Sequence, residues 1–299
     1  MLLTSAVISL RRIVHDPLYS TKAIFRKTAF RAMSGLGLQE VVSKLEEFAP
    51  LKLAGSWDNV GLLIEPSAPK SVENVFLTND LTEKVLEEAI GQKADLVISY
   101  HPPIFASLKR ITQKTWKERL VATCLEKRIA LYSPHTSWDS IRGGICDWLC
   151  DSLPHASTTP ITPDVENEEN GLGRFLTIHG NLTLADAIKR IKEHTGIKNV
   201  HVAIGVDSNL ETNIKTVAVC AGSGASVLKP AAADLFLTGE MSHHEVLDCT
   251  QRNISVILCN HSNSERGYLK VFKSKLESSL SNKVKVSVST VDADPLETY

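Results

Sequence analysis

The sequence predicts an α/β fold, on two observations. From Leu36 onward, short apolar runs of the length of buried strands alternate with segments of helical periodicity. Polar residues follow several of these apolar runs at once, at the carboxyl ends of the predicted strands, where open α/β sheets bind their ligands. With 299 residues, 43% of them hydrophobic and 22% charged, the chain can fill one large or two ordinary cores.

The first part of the chain, residues 36–150, contains three predicted helices and three predicted strands. The helices span 38–48, 82–90 and 116–127, and the strands span 75–78, 96–99 and 129–132. Pro50 ends the first helix and Thr82 begins the second. His101 follows the second strand, and His135 and Asp139 follow the third. All three side chains are therefore predicted at the carboxyl edge of the sheet.

Residues 151–173 lose this periodicity and gain Pro, Ser, Thr and acidic residues, a composition typical of a linker. They are predicted to divide the chain into halves at 36–150 and 174–299. In the second half, Thr183 and Asp186 form a capping box for a helix that ends at Gly196. The predicted strands of this half run through Val200 and Val202 and then span 217–220, 235–238 and 256–259.

The last two of these strands also end in polar residues. His261 follows the strand at 256–259, and Glu265 is predicted in the first turn of the next helix, capped by Ser262 or Ser264. A histidine and a carboxylate presented together are good ligands for a divalent metal ion. Glu240, His243 and His244 follow the strand at 235–238 and are predicted to act as general bases or to orient a substrate. This arrangement predicts a metal or polar catalytic cluster.

Composition argues against several classes of protein. A formal net charge of -1 and a pI near 6.8 disfavour direct nucleic-acid binding, which needs clustered Lys and Arg in excess. No apolar run reaches the roughly 18 residues of a membrane-spanning helix. The six cysteines form no CxxC pair and are predicted to be buried free thiols in a reducing compartment.

The first 35 residues differ from the rest in being basic. Asp16 is their one acid, against the basic residues Arg11, Arg12, Lys22, Arg26, Lys27 and Arg31. This composition is typical of a mitochondrial transit peptide, and the alternative is a disordered basic leader. Met33 offers an internal start that would give a cytoplasmic form. The predicted location is mitochondrial or cytoplasmic, with the nucleus as a further location.

From Leu38 to Leu296 the chain resembles the NGG-one-interacting-factor-three-like family, also labelled GTP cyclohydrolase I type-two-like. Five motifs in combination carry the resemblance: Trp57-Asp58-Asn59-Val60-Gly61-Leu62, His101-Pro102, His135-Thr136 with Asp139, Gly239-Glu240 with His243 and His244, and His261 with Glu265. The resemblance implies two similar α/β lobes with a dinuclear metal site in the cleft between them. It also implies homodimers or larger toroidal oligomers.

Carried over by motif, the metal ligands implied by the resemblance are His101, Asp139, His261 and Glu265. Tyr100 departs from the family pattern, because many bacterial relatives have a second histidine there. A neutral phenol is a poorer ligand than imidazole, so the departure leaves either one or two ions per chain. The mixed N and O ligands suit Zn, Mn, Fe, Co or Ni. Longer family members carry an extra domain between the lobes, where this chain has only the short linker.

Two functions follow from the resemblance and the predicted cluster. The first is a metal-dependent hydrolase that acts on a nucleotide-like or other small substrate, in which the metal activates a water molecule. The alternative is an interaction scaffold or transcriptional co-regulator with regulatory protein partners, whose metal site is structural or vestigial.

Overall fold

The computed structural model describes residues 35–297. The predicted leader at 1–35 lies outside this range except for its last residue, so the transit peptide and the location of the protein stay predictions.

Residues 35–297 contain fifteen strands and nine α-helices. The strands are β1 (Leu36–Gly37), β2 (Gly61–Ile64), β3 (Ser71–Val72), β4 (Asn74–Thr78), β5 (Leu96–Ser99), β6 (Ala130–Ser133), β7 (His155–Thr159), β8 (Thr162–Pro163), β9 (Gly171–Leu172), β10 (Arg174–Ile178), β11 (His201–Ala203), β12 (Thr216–Ser223), β13 (Leu235–Glu240), β14 (Ser255–Leu258) and β15 (Lys285–Val288). The helices are α1 (Leu38–Phe48), α2 (Glu83–Gly91), α3 (Trp116–Glu126), α4 (Thr136–Ser140), α5 (Ile145–Cys150), α6 (Leu184–Thr195), α7 (Ala225–Leu228), α8 (His243–Gln251) and α9 (Tyr268–Ser279).

Two larger sheets organise these elements. The first has the strand order β15-β4-β5-β6-β2, and the second has the order β11-β14-β13-β12-β10-β7. In the first, β15, β4, β5 and β6 are parallel and β2 is antiparallel to β6. In the second, β12, β13 and β14 are parallel, and the pairs β11–β14, β10–β12 and β7–β10 are antiparallel. The predicted α/β fold class is confirmed.

Parallel strands must be covered on both faces, and apolar side chains from helices do this here. The largest core cluster joins residues of both sheets, such as Ile98 and Ile257, with the apolar faces of α1, α5, α6 and α9. A second cluster packs α2 and α3 on the other face of the first sheet. A third packs α7 and α8 on the other face of the second sheet. The strand ends therefore project from a rigid, close-packed framework.

Segment 151–173, predicted as a linker, contains the edge strand β7 and the short β8–β9 pair. Strand β15 comes from the predicted second half but pairs with β4 in the first sheet. The division of the chain into lobes at these boundaries stays a prediction. All six cysteines are buried free thiols. Among residues 35–297, we find no helix with the length and apolarity required to cross a membrane.

A buried arginine holds the loops beside the second sheet in place. Arg174, 1% exposed, pairs with Asp147 and donates to the backbone oxygens of four residues, Ser140, Ile141, Gly171 and Gly173. A buried guanidinium is tolerated only when its donors are satisfied in this way. The contact fixes the end of α4, which carries Asp139, beside β9, which carries Leu172.

Candidate metal centre

His101 is placed by the loop that follows β5. Its backbone N–H donates to the carbonyl of Asn79, and its Nδ1 lies 2.8 Å from Oδ1 of Asp80. An ionised carboxylate only accepts hydrogen bonds, so Nδ1 carries a proton, and Nε2 is the ring nitrogen left to bind a metal ion. This Nε2 lies 3.4 Å from Oε2 of Glu265.

His261 follows β14 and is oriented in the same way. Its Nδ1 lies 2.9 Å from Oε1 of Glu240, and its Nε2 lies 3.4 Å from Oε1 of Glu265. Most metal-ligating histidines bind the metal through one ring nitrogen and hydrogen-bond through the other, often to a carboxylate. Both histidines here have a carboxylate at Nδ1, and the Nε2 atoms of both lie near the carboxylate of Glu265.

Glu265 is the centre of the group and is only 1% exposed. It lies in the turn between a 3-10 segment at Ser262–Ser264 and α9, which begins at Tyr268, and thus not in the first helical turn that the sequence predicts. The side-chain amide of Asn79 donates to its Oε2 at 3.0 Å. The other polar atom of that amide, Oδ1 of Asn79, is buried and has no hydrogen-bond partner among residues 35–297.

One ligand atom from each of His101, His261 and Glu265 lies within 4.8 Å of the other two. Two ligands of one four-coordinate ion, with bonds of about 2.0–2.2 Å, lie about 3.3–3.5 Å apart. Here each histidine Nε2 lies 3.4 Å from a carboxylate oxygen of Glu265, His101 from Oε2 and His261 from Oε1. Gly222 leaves the necessary room, because a Cβ there would lie 2.6 Å from Oε1 of Glu265 and 3.1 Å from Nε2 of His261. The residues present therefore fit a divalent metal ion.

The charges of the group also favour a cation. Burial by itself lowers the pKa of His101, but the carboxylates of Glu265 and Asp80 on either side outweigh burial and raise the pKa to about 10. The metal-free protein thus holds an extra proton among these carboxylates at neutral pH. A cluster with this excess of negative charge attracts either a proton or a metal cation.

Asp139 lines the same cavity as Glu265 and His261, which has a volume of about 360 Å³. Its Oδ1 accepts a hydrogen bond of 2.7 Å from the buried hydroxyl of Tyr100. Burial and the charge of Glu265 raise the pKa of Asp139 to about 6, against the opposing effect of the Tyr100 hydrogen bond. Asp139 is thus close to the group of three without belonging to it, and its role as a ligand stays a prediction.

The predicted catalytic residues divide into two groups. Glu240 contacts His261 and so reaches the candidate centre. His243 and His244 are exposed on α8, their rings 5.3 Å apart, and His244 lines a different cavity, with Met241 and Arg252. Catalytic roles for these three residues stay predictions. His135 lines the 360 Å³ cavity, and its Nδ1 lies 2.7 Å from the buried carboxylate of Asp58.

Sequence reasoning missed several residues that hold the ligands. Asn79 and Asp80 directly follow β4, so the signal that found His101 applied to them too. Asp292 lies in the segment after β15 and carried no such signal. Its Oδ2 accepts from the backbone N–H of Asn79 at 2.8 Å and from Arg266, which directly follows Glu265. It thereby links the loop of Asn79 to the loop of Glu265.

Comparison with known sequences finds one family name throughout. The sequence model of a family described as Duf34/NIF3 (NGG1p interacting factor 3) matches residues 36–295. NIF3-like protein 1 of Drosophila melanogaster is 51% identical over 267 residues, which cover 89% of this chain and 90% of that protein. The human NIF3-like protein 1 is 39% identical, with coverage of 88% and 93%. NGG1-interacting factor 3 of Saccharomyces cerevisiae is 37% identical, with coverage of 89% and 98%.

Comparison with solved structures finds proteins with the same fold. A Bacillus cereus protein related to NIF3 superimposes with a TM-score of 0.80 at 20% identity, covering 88% of this chain and 99% of that one. Reduced HcgD from Methanocaldococcus jannaschii superimposes with a TM-score of 0.71 at 25% identity, covering 85% and 97%. The backbone arrangement described above is therefore shared with these proteins.

Proposed function

The chain belongs to the Duf34/NIF3 family, and from this premise we propose that it is a metal-dependent hydrolase whose divalent ion is held by His101, His261 and Glu265. The observation that carries the proposal is the convergence of the Nε2 atoms of both histidines on one buried carboxylate, while the Nδ1 atom of each contacts another carboxylate. Histidines that bind metals usually have such a hydrogen-bond partner on the second ring nitrogen, whereas that nitrogen of a surface histidine usually contacts water.

When bound, a divalent ion would supply the activation of water and the polarisation of the bond under attack, and His101, His261 and Glu265 would hold it. The residues of this chain supply the rest of the site. Asp80 and Glu240 orient the two imidazoles, and Asn79 orients the carboxylate of Glu265. Tyr100 donates a hydrogen bond to Asp139 at the cavity wall, and in this proposal Asp139 would complete the ligand set or orient a substrate.

The test is elemental analysis of protein purified without a histidine tag, followed by a hydrolysis assay on a panel of nucleotides and nucleosides. We expect wild type to retain about one equivalent of transition metal. His261→Ala and Glu265→Gln should lose the metal and any turnover, since each removes a ligand. His179→Ala, which alters an exposed histidine, is the matched control and should behave as wild type. Metal retained at the wild-type level by both site variants would contradict the proposal.

A second candidate function is protein interaction. The Saccharomyces cerevisiae relative is named as an interacting factor, which implies a protein partner for that relative. As a scaffold, this chain would bind a protein partner whether or not metal is present. Partner capture that is unchanged in His261→Ala, together with no turnover of any substrate by wild type, would favour the scaffold over the hydrolase.

A further inference from the structure

An exposed tryptophan is held firmly at the edge of the 360 Å³ cavity. Trp57 lines this cavity, yet it is 65% exposed. Its turn is anchored by the buried carboxylate of Asp58, which accepts from the backbone N–H and the hydroxyl of Thr136 and contacts His135. The Gly55 N–H donates to the same Thr136 hydroxyl. Polar anchors thus fix the turn, and the ring itself remains available to a ligand.

Other apolar groups lie beside this ring. Phe105 is 50% exposed, and its ring centroid is 6.1 Å from that of Trp57. The ring of His135 is 6.0 Å from Trp57, and Leu172 and Val227 line the same cavity. Leaving two large rings exposed forgoes the stabilisation that their burial would bring. Exposed apolar groups at the mouth of a polar cavity are typical of a binding site for an apolar or aromatic ligand.

The charges of the cavity restrict the ligand further. Within the described range 35–297, the residues that line the cavity include two acids, Asp139 and Glu265, and no Lys or Arg. Sites for phosphorylated ligands rely on Lys or Arg side chains or on the N-terminus of a helix. The two helices that begin at this cavity, α4 and α7, have only five and four residues and so offer a weak dipole. The two carboxylates offset the double charge of one divalent ion, so the cavity has no surplus positive charge for a polyanion.

We propose that this cavity binds an uncharged planar ring compound of about the size of a nucleoside, with the ring against Trp57. The binding of this compound is argued from the cavity alone. That the bound compound is also the substrate of hydrolysis rests on the proposed function. Its volume is within the range of small-molecule sites, about 300–1,000 Å³. Ser223 and Ser226 line the wall and offer hydroxyl groups to the polar edge of such a ligand.

Isothermal titration of the metal-loaded full chain with adenosine, guanosine, ATP and GTP tests this proposal. We expect each nucleoside to bind at least about tenfold more tightly than its triphosphate. Trp57→Leu should weaken nucleoside binding by about tenfold, because stacking on the ring is lost, while Trp57→Phe should retain most of it. Trp116→Leu is the matched control: Trp116 is also exposed, at 43%, but lies outside this cavity.

Tighter binding of the triphosphates, or no binding of either nucleoside, would overturn the proposal. So would a loss caused by Trp116→Leu and not by Trp57→Leu, which would place the ring in a separate cavity that Trp116 lines together with His101 and Pro103. The metal content of the same samples separates this proposal from the hydrolase. Nucleoside binding in protein that retains no metal would contradict only the hydrolase, and metal retention without nucleoside binding would contradict only the ligand proposed here.

Discussion

At the scale of single residues, the candidate centre depends on a glycine as much as on its ligands. Gly222 has a φ of +63°, a conformation that other residues adopt at a cost, and its Cα lies close to the ligand atoms of Glu265 and His261. A residue with a side chain there would push these ligands out of position. The same glycine leaves the cavity open beside the carboxylate.

We therefore predict that Gly222→Ala weakens metal binding by at least about tenfold, because its Cβ would lie 2.6 Å from Oε1 of Glu265. It should also cost about 1–2 kcal/mol of unfolding free energy, from the left-handed backbone. Gly180→Ala is the control: Gly180 has a φ of +81° and open space around its Cα. The measurements are metal titration and urea unfolding. Equal metal affinity in the two variants would contradict this account of Gly222.

At the scale of elements, the segment after β15 supports the centre from outside. Asp292 accepts from Asn79 and Arg266, and Asp294 accepts from the hydroxyl of Ser262 at 2.9 Å. Glu88 on α2 accepts from the residues at the start of this segment and holds it to the first sheet. The loop of Asn79 and the loop of Glu265 are thus connected through a third piece of chain.

Asp292→Asn is predicted to reduce metal affinity by up to about tenfold, less than the loss of a group that contacts a ligand directly, because Asp292 holds only the loops of Asn79 and Glu265. The amide removes the charge that pairs with Arg266 and leaves one acceptor oxygen, so the loop of Asn79 is held less firmly. Asp234→Asn is the matched control, since Asp234 also accepts backbone N–H groups at a strand start but lies in the second sheet, away from these loops. Titration calorimetry measures the metal affinity of both variants, after circular dichroism has shown that they are folded. Should both variants lose affinity equally, the effect would be one of general stability.

At the scale of the whole molecule, the three ligands come from both sheets. His101 follows β5 in the first sheet, and His261 and Glu265 follow β14 in the second. A bound ion would join the strand ends of the two sheets directly. Binding of this kind adds to the stability of the folded chain in proportion to the logarithm of ligand concentration.

We predict that a metal ion at 100 times its dissociation constant stabilises the chelator-treated protein by about 2.7 kcal/mol, and so raises its melting temperature by a few degrees. The ion binds the folded protein and lacks a preformed site in the unfolded chain. Differential scanning calorimetry of wild type and His261→Ala, each with and without metal, measures the shift. An equal shift in the variant would mean that the ion stabilises the protein from another site.

The sequence by itself determined the α/β class and which strand ends carry polar side chains, because burial of parallel strands requires apolar runs and their ends meet solvent or ligands. That reasoning identified His101, His261 and Glu265, and it would have identified Asn79 and Asp80 had it been applied to β4. The return of β15 to the first sheet and the place of Asp292 carried no periodic signal.

Only the tertiary structure decided which of these side chains meet. It brought Glu240 to His261, left His243 and His244 exposed on α8, and placed Asn79 against Glu265. The physical reason is that strand periodicity is a local property of the backbone, whereas contact between side chains depends on how two sheets and their loops pack. Distances of a few ångströms between residues more than 150 positions apart, such as His101 and Glu265, are set by that packing alone.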